Sequence, residues 1–154
     1  MPQALDARLA ERGLSLPDAP APAANYVPWV ISGQQVFVSG QISQGRGGLI
    51  CGNLGADMSI EQGADAAQQC ALALLAQLRA AVDGDLSRLT RVVKLVGFVN
   101  CTSDFTDQPK VINGASDLLV DLLGDAGRHA RSAVGVSSLP LGVAVEIEAI
   151  FEIR

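Results

Sequence analysis

The segment that most constrains the fold of this chain is residues 143–153, where apolar side chains alternate with a set that is mostly acidic. In an extended strand, alternate side chains point to opposite faces. The apolar set is Val145, Ile147, Ala149, Phe151 and Ile153, and the opposite set is Glu146, Glu148, Ile150 and Glu152. The segment therefore predicts a strand that buries one face in a core and leaves a second face on which acids stand among apolar neighbours.

Two amphipathic helices are predicted to cover the apolar face of that strand. The first begins at Ser59, which forms a capping-box pattern with Gln62, and ends at Gly84. Its apolar stripe is Ile60, Ala64, Ala67, Ala71, Leu74, Leu78 and Val82. The second follows Asp107 as N-cap and ends at Gly124. Its stripe is Ile112, Ala115, Leu119 and Leu122.

The other β-branched and aromatic segments predict strands. They lie at residues 26–31, 36–39, 90–100 and 131–137, with a short strand at 49–51. The predicted order is ββ(β)αβαββ, an α+β fold with two helices on one face of a mixed sheet. Because two helices cannot cover both faces of a sheet, this pattern predicts self-association. The last two strands are expected to form a hairpin around Leu139–Gly142, which would bring their side chains close together.

The organisation of the chain predicts one domain, residues 26–154, preceded by an N-terminal extension, residues 1–25. A short helix is expected at residues 5–12, ended by Gly13, followed by a stiff segment containing Pro17, Pro20 and Pro22. The start of the chain lacks the basic and apolar regions of a secretory signal. No run of about 18 apolar residues predicts a membrane-spanning helix.

Composition excludes several classes of function. The 154 residues carry a net charge of −5 and their 11 Lys and Arg are scattered, so a nucleic acid is a poor partner. With 49% hydrophobic and 18% charged residues, the chain is apolar enough to bury surface against other subunits. The three cysteines, Cys51, Cys70 and Cys101, are odd in number and lack C-x-x-C spacing, which predicts a reduced, cytoplasmic protein.

Familiar catalytic motifs are missing from the sequence. The glycine-rich stretch Gly45-Arg46-Gly47-Gly48 has Ile50 where a G-x-G-x-x-G loop needs its third glycine, so a flexible hairpin loop is expected there. His129 is the single histidine and cannot assemble a metal site by itself. Neither a metal nor an organic cofactor is predicted.

One constellation near the C-terminus does suggest chemistry. It consists of Arg131-Ser132-Ala133-Val134, then Leu139-Pro140, then Val145-Glu146-Ile147-Glu148-Ala149-Ile150. If the two strands pair as a hairpin, Arg131 and Glu146 share a pocket. Physical chemistry alone leaves two interpretations open: a structural ion pair, or an open site in which the guanidinium binds a substrate carboxylate.

These motifs resemble the C-terminal signature of the Rid family (reactive intermediate deaminases, also called YjgF or L-PSP). The resemblance extends upstream to Tyr26, to the V-F-V-S-G-Q of residues 36–41 and to the V-I-N of residues 111–113, so that it covers roughly residues 26–154. It implies a chorismate-mutase-like fold of the bacillus type, a homotrimer, and pockets in clefts between subunits.

The resemblance also implies roles for individual residues. Arg131 falls on the family's carboxylate-binding arginine and Glu146 on the glutamate that handles water. Tyr26, Ser39 and Asn113 fall on positions that line the pocket. The best-known members hydrolyse 2-imino acids, formed from enamines, to 2-oxo acids and ammonia without a cofactor.

One departure from the family separates two functional hypotheses. Ala133 stands where the best-known members have a cysteine, which excludes a thiol-dependent step at that position. The first hypothesis is an imine or enamine deaminase, and the second is a regulatory trimer that binds small carboxylates with little catalysis. An endoribonuclease, suggested by an older family name, is disfavoured by the acidic charge and the single histidine.

Overall fold

A five-stranded mixed sheet forms the centre of the protein in a computed structural model, which describes residues 2–19, 21 and 25–154. The strands of this sheet are β1 (Trp29–Ser32), β2 (Gln35–Ile42), β5 (Leu89–Asn100), β6 (Ala130–Val136) and β7 (Val145–Ile153). A separate small hairpin consists of β3 (Gln44–Gly45) and β4 (Gly48–Leu49). The helices are α1 (Pro2–Glu11), α2 (Ile60–Ala81) and α3 (Gln108–Leu123). The predicted α+β class is confirmed, and the order of elements matches except that two short strands, β3 and β4, replace the single one predicted at residues 49–51.

The strand order across the sheet is β1-β2-β7-β5-β6. Strands β5 and β6 run parallel, and the other neighbours run antiparallel. The chain enters β6 from α3, the crossover that a parallel pair requires. The predicted hairpin between the last two strands is wrong, because β5 lies between β6 and β7. Period-two patterns identify both segments as strands but do not encode which strand each one pairs with.

The helix ends follow the predicted local chemistry. The Gln62 backbone N–H donates to Ser59 Oγ at 3.1 Å, and the Ser59 N–H donates to Gln62 Oε1 at 2.9 Å, which completes the capping box. Gly124 ends α3 with φ = 64°, a left-handed conformation that glycine adopts without steric cost. Asp107 is the N-cap of α3, but its side chain makes no capping bond and instead pairs with Lys110 at 3.5 Å.

The two faces of the sheet differ as the last segment predicted. We call the side that packs on α2 and α3 the helix face; its β7 members Val145, Ile147, Ala149, Phe151 and Ile153 are all buried. We call the opposite side the open face. It carries the acids of β7 and, in rows across the strands, Val30, Phe37, Ile42, Phe98, Ile150 and Val134. Phe37, Val30 and Val134 on this face are 40%, 51% and 44% exposed.

The N-terminal helix α1 packs against the domain that follows it. Leu5 and Leu9 are 4% and 3% exposed and join the core, while Arg8 Nη1 donates to the Leu122 carbonyl at 2.6 Å. The predicted stop at Gly13 is confirmed by its φ of 66°. Pro20 and Pro22 of the predicted stiff segment lie outside the described residues. The predicted boundary between residues 25 and 26 stays a prediction.

Helices α2 and α3 approach each other closely at a glycine of α3. A Cβ atom added to Gly114 would collide with the backbone carbonyl of Ala64 in α2. Gly63, one residue earlier in α2, similarly faces the Val111 side chain, with 3.2 Å between an added Cβ and Val111 Cγ1. The helix pair that covers the sheet therefore depends on the absence of side chains at this crossing.

We expect Gly114→Ala to lower the free energy of unfolding by about 1–3 kcal/mol, because the added methyl group forces the two helices apart. The measurement is urea denaturation at fixed protein concentration. Gly47→Ala is the control, since nothing lies within 4 Å of a Cβ added at Gly47. Equal unfolding midpoints for the two variants would contradict the close-packing argument.

Candidate carboxylate site

The guanidinium of Arg131 is held by α3. Arg131 pairs with Leu95 of β5 in the parallel register, so its side chain points to the helix face. Its Nη1 donates to Ser116 Oγ at 3.0 Å, and its Nη2 donates to the Pro109 carbonyl at 3.3 Å. Both acceptors are neutral oxygens of α3.

Within the described residues, Arg131 forms no ion pair; the pairs found there join Lys110 to Asp107 and Arg128 to Asp125. The structural ion pair between Arg131 and Glu146 is therefore absent from the subunit. A guanidinium with only neutral partners has no carboxylate beside it to offset its charge, and it has further N–H donors available, since it carries five. This is the arrangement that a small carboxylate can complete.

Asn113 lies on the same stripe of α3 as the acceptors of Arg131. It is four residues after Pro109 and three before Ser116, the spacings that place helical residues next to each other on one face. The Asn113 side chain is exposed. Of the predicted site residues, the subunit therefore brings Arg131 and Asn113 to the same edge of the molecule.

Glu146 lies on the open face, on the other side of the sheet. Its neighbours across the strands are Ile42 of β2 and Phe98 of β5. Removal of water by this environment raises the pKa of the Glu146 carboxyl above its ordinary value, and the negative charge of Glu148 raises that pKa further. A carboxylate with a raised pKa is a better proton acceptor near neutral pH than an ordinary one.

A β-bulge next to Glu146 makes room for its carboxylate. The register between β2 and β7 shifts between Val38 and Gln41, so that Ser39 and Gly40 stand opposite one residue of β7. A Cβ added to Gly40 would lie 2.9 Å from the carboxyl carbon of Glu146. Glycine at this position therefore allows the carboxylate to lie over the strand.

Ser39 is tied to the segment that precedes β1, in which Tyr26 also lies. Ser39 Oγ donates to the Pro28 carbonyl at 3.0 Å, and the Ser39 carbonyl accepts from Gln41 Nε2 at 3.0 Å. Tyr26, two residues before Pro28, is 50% exposed. Ser39 and Glu146 thus belong to the neighbouring strands β2 and β7, and Tyr26 precedes β1, whereas Arg131 lies on β6 at the other edge of the sheet.

The two predicted catalytic residues, Arg131 and Glu146, therefore lie on opposite faces of the sheet within one subunit. Arg131 is in register with Leu95, whereas Glu146 is in register with Phe98, three residues further along β5. An odd separation along a strand means opposite faces. The prediction that these two residues share a pocket through direct hairpin pairing is wrong.

The structure shows where Ala133, which stands in place of the family cysteine, and the three cysteines of this chain lie. Ala133 is partly buried next to Gly97, two residues from Arg131 on the helix face. Cys70 is fully buried in α2, where burial and the charge of Glu146 raise the pKa of its thiol. Cys101 is buried and Cys51 is exposed, and all three are free.

Sequence reasoning missed two residues beside Arg131. Ser116 Oγ lies 2.9 Å from His129 Nε2, and His129 Nδ1 lies 2.6 Å from the Gly127 carbonyl. Burial, together with the charge of Arg131, lowers the pKa of His129, against the opposing effect of the Gly127 carbonyl. The sequence signal that could have identified Ser116 was its position three residues after Asn113, on the same face of the predicted helix.

Two general properties hold for the described part of the chain. No group of three or more His, Cys, Asp or Glu side chains there is arranged to hold a metal ion. Nor does any helix there have the length and apolar character needed to cross a bilayer.

Comparison with known proteins agrees with this fold. Residues 6–151 match the family model described as "YjgF/chorismate mutase-like, putative endoribonuclease". A protein of unknown function from Agrobacterium tumefaciens has a similar crystal structure, with a TM-score of 0.92 and 46% identity over 99% of this chain and 96% of that one.

Two curated relatives extend the comparison. Protein TCP17 of Trypanosoma cruzi is 50% identical over 150 residues, 96% of this chain and 93% of that protein. A 2-iminobutanoate/2-iminopropanoate deaminase of Dermatophagoides farinae is 30% identical over 146 residues, 94% of this chain and 98% of that protein. With the fold, the matched length and these relatives in agreement, the chain belongs to the YjgF/Rid family.

Proposed function

We propose that this protein hydrolyses 2-imino acids to 2-oxo acids and ammonia, in clefts formed between the subunits of a homotrimer. The observation that carries the proposal is the partly buried guanidinium of Arg131, which in the described residues has neutral acceptors and no carboxylate partner. The deaminase named among the relatives, which acts on 2-imino acids, supports the reaction type.

The chemistry requires little beyond positioning. Two parallel N–H bonds from Arg131 hold the substrate carboxylate and thereby fix the adjacent C=N carbon. A water molecule adds to that carbon, and Glu146 accepts the proton that the water loses. The imine reacts in its protonated form, so the resulting carbinolamine carries an NH2 group, to which Glu146 returns the proton. The C–N bond then breaks and its electron pair leaves with ammonia, while the hydroxyl oxygen forms the C=O bond of the 2-oxo acid and gives up its proton to the Glu146 carboxylate.

The opposite placement of Arg131 and Glu146 makes a second subunit necessary for this chemistry. In the proposed cleft, one subunit supplies Arg131 and Asn113, and its neighbour supplies Glu146, Ser39 and Tyr26. The apolar and acidic open face supports such an assembly, because exposed large apolar side chains on a sheet are typical of subunit interfaces.

The alternative is a trimer that binds small 2-oxo or 2-imino acids as a regulatory protein with little catalysis. Ala133 favours it, because the residue beside the carboxylate site differs from that of the best-known deaminases. Endoribonuclease activity, which the family description mentions, has weaker support, since a net charge of −5 repels the phosphate backbone.

We expect Arg131→Ala to remain folded, because the loss leaves no buried carboxylate without a partner, while 2-oxobutanoate affinity and imine hydrolysis fall by at least roughly a hundredfold. Arg131→Lys should restore little, since an ammonium group cannot form the paired contact. Thermal unfolding, calorimetric binding and semicarbazide trapping of 2-iminopropanoate measure these effects. A folded Arg131→Ala variant with wild-type affinity would disprove the proposed site.

The raised pKa of Glu146 predicts the acidic side of the pH–rate profile. Only the ionised carboxylate accepts a proton, so enzymatic activity should decline as pH falls through a pKa above the ordinary value of 4.5. Glu148→Gln removes the neighbouring charge and should move this decline to lower pH, whereas Glu146→Gln should lower the rate by roughly a hundredfold or more. Rates are corrected for uncatalysed hydrolysis. An unchanged profile in Glu148→Gln would contradict the assignment of Glu146 as the base.

Trimers that contain two different variants test directly whether the site combines residues from two subunits. Light scattering should give three times the subunit mass. Co-expression of Arg131→Ala and Glu146→Gln chains in equal amounts should restore about a quarter of wild-type activity, because about a quarter of clefts then combine two intact groups from different subunits. Each variant alone is the control. If the mixture is as inactive as the single variants, the two groups do not act across a subunit boundary.

A further inference from the structure

A chain of three hydrogen bonds ends at the guanidinium of Arg131. It begins at the Gly127 carbonyl, which lies 2.6 Å from His129 Nδ1. It continues from His129 Nε2 to Ser116 Oγ over 2.9 Å. The last bond joins Ser116 Oγ to Arg131 Nη1 over 3.0 Å.

The chemistry of the partners determines where the protons lie. A backbone carbonyl can only accept, so His129 Nδ1 must carry the hydrogen. Burial and the nearby charge of Arg131 lower the pKa of His129, which favours the neutral ring, and in that ring Nε2 is an acceptor. The Ser116 hydroxyl therefore donates to His129 Nε2, and an Oγ lone pair is left to accept from Arg131.

Two members of this hydrogen-bonded chain, Ser116 and Gly127, are held on or against helix α3. Ser116 belongs to α3, and Gly127 lies so close to α3 that an added Cβ would collide with the Leu119 carbonyl. The second bond of the guanidinium, from Nη2 to the Pro109 carbonyl, also ends on α3. Two nitrogens of Arg131 are thus fixed relative to the same helix.

We infer that Ser116 and His129 are positioning residues that set the orientation of the Arg131 guanidinium toward a bound carboxylate. The inference rests on the proposed function, since it assumes that Arg131 binds the substrate carboxylate. Ser116 touches the guanidinium, and His129 acts through Ser116 by directing its hydroxyl hydrogen away from Arg131. A planar fork binds a carboxylate through two bonds only in one orientation, so its orientation controls affinity.

The first experiment measures 2-oxobutanoate affinity by calorimetry, and KM and kcat for 2-iminopropanoate, in folded trimers. Ser116→Ala and His129→Phe should each raise Kd and KM roughly three- to tenfold, with a smaller change in kcat. The double variant should bind no more weakly than Ser116→Ala, because His129 acts through Ser116. Ser116→Thr, which keeps the hydroxyl, should restore affinity. Ser103→Ala, at an exposed serine, is the control.

The second experiment does not depend on turnover. The chain has one histidine, so its imidazole nitrogen signals need no assignment among several residues. Nitrogen NMR should show the neutral Nδ1–H tautomer, and Ser116→Ala should shift the Nε2 signal. A protonated Nε2 in the neutral ring would overturn the inference.

The two proposals fail in different ways. If wild-type protein binds 2-oxobutanoate, and the Ser116 and His129 variants bind it more weakly as expected, but no variant or wild-type protein hydrolyses the imine, the deaminase proposal fails and the positioning inference stands. If hydrolysis is present but folded Ser116→Ala and His129→Phe keep wild-type Kd and KM, or if their effects add in the double variant, the positioning inference fails. Absence of both 2-oxobutanoate binding and imine hydrolysis in the wild-type protein would overturn both.

Discussion

The rest of the structure depends on a sheet that its own helices cover on one face only. Helices α2 and α3 bury the apolar set of β7, and the close contact at Gly114 lets them pack as a layer. The open face keeps large apolar side chains such as Phe37 in water within a single subunit, which is unfavourable by roughly 25 cal/mol for each Å² exposed. The proposed association of subunits through this face would remove that cost and place the acids of β7 next to a neighbour.

The same asymmetry separates the candidate chemistry into two halves. Arg131 is on the helix face near α3, where its charge has only neutral partners among the described residues. Glu146 is on the open face between Ile42 and Phe98, where partial burial and the charge of Glu148 raise its pKa. A basic half and an acidic half that cannot meet in one chain are what a site between two copies of that chain requires. The proposed trimer and the proposed imine hydrolysis therefore both rest on this separation of Arg131 from Glu146.

Much of the local structure was predictable because local physics decides it. The capping box at Ser59, the glycine stop at Gly124 and the alternation of β7 each depend on residues a few positions apart. The pairing of β6 with β5 was not predictable in this way, and neither was the contact between Ser116, His129 and Arg131. The sequence separations in that contact are short, 13 and 15 residues, but it forms only because α3 packs beside β6.

The sequence by itself determined which segments become helices and strands, which side of each is apolar, and which residues match the family's motifs. These properties depend on residues that are close together in the sequence. Only the tertiary structure decided that β5 lies between β6 and β7 and that Arg131 and Glu146 therefore face opposite sides. The physical reason is that strand order follows from how the whole chain packs around its core. Each side chain's face is then set by its register with strands that lie far away in the sequence.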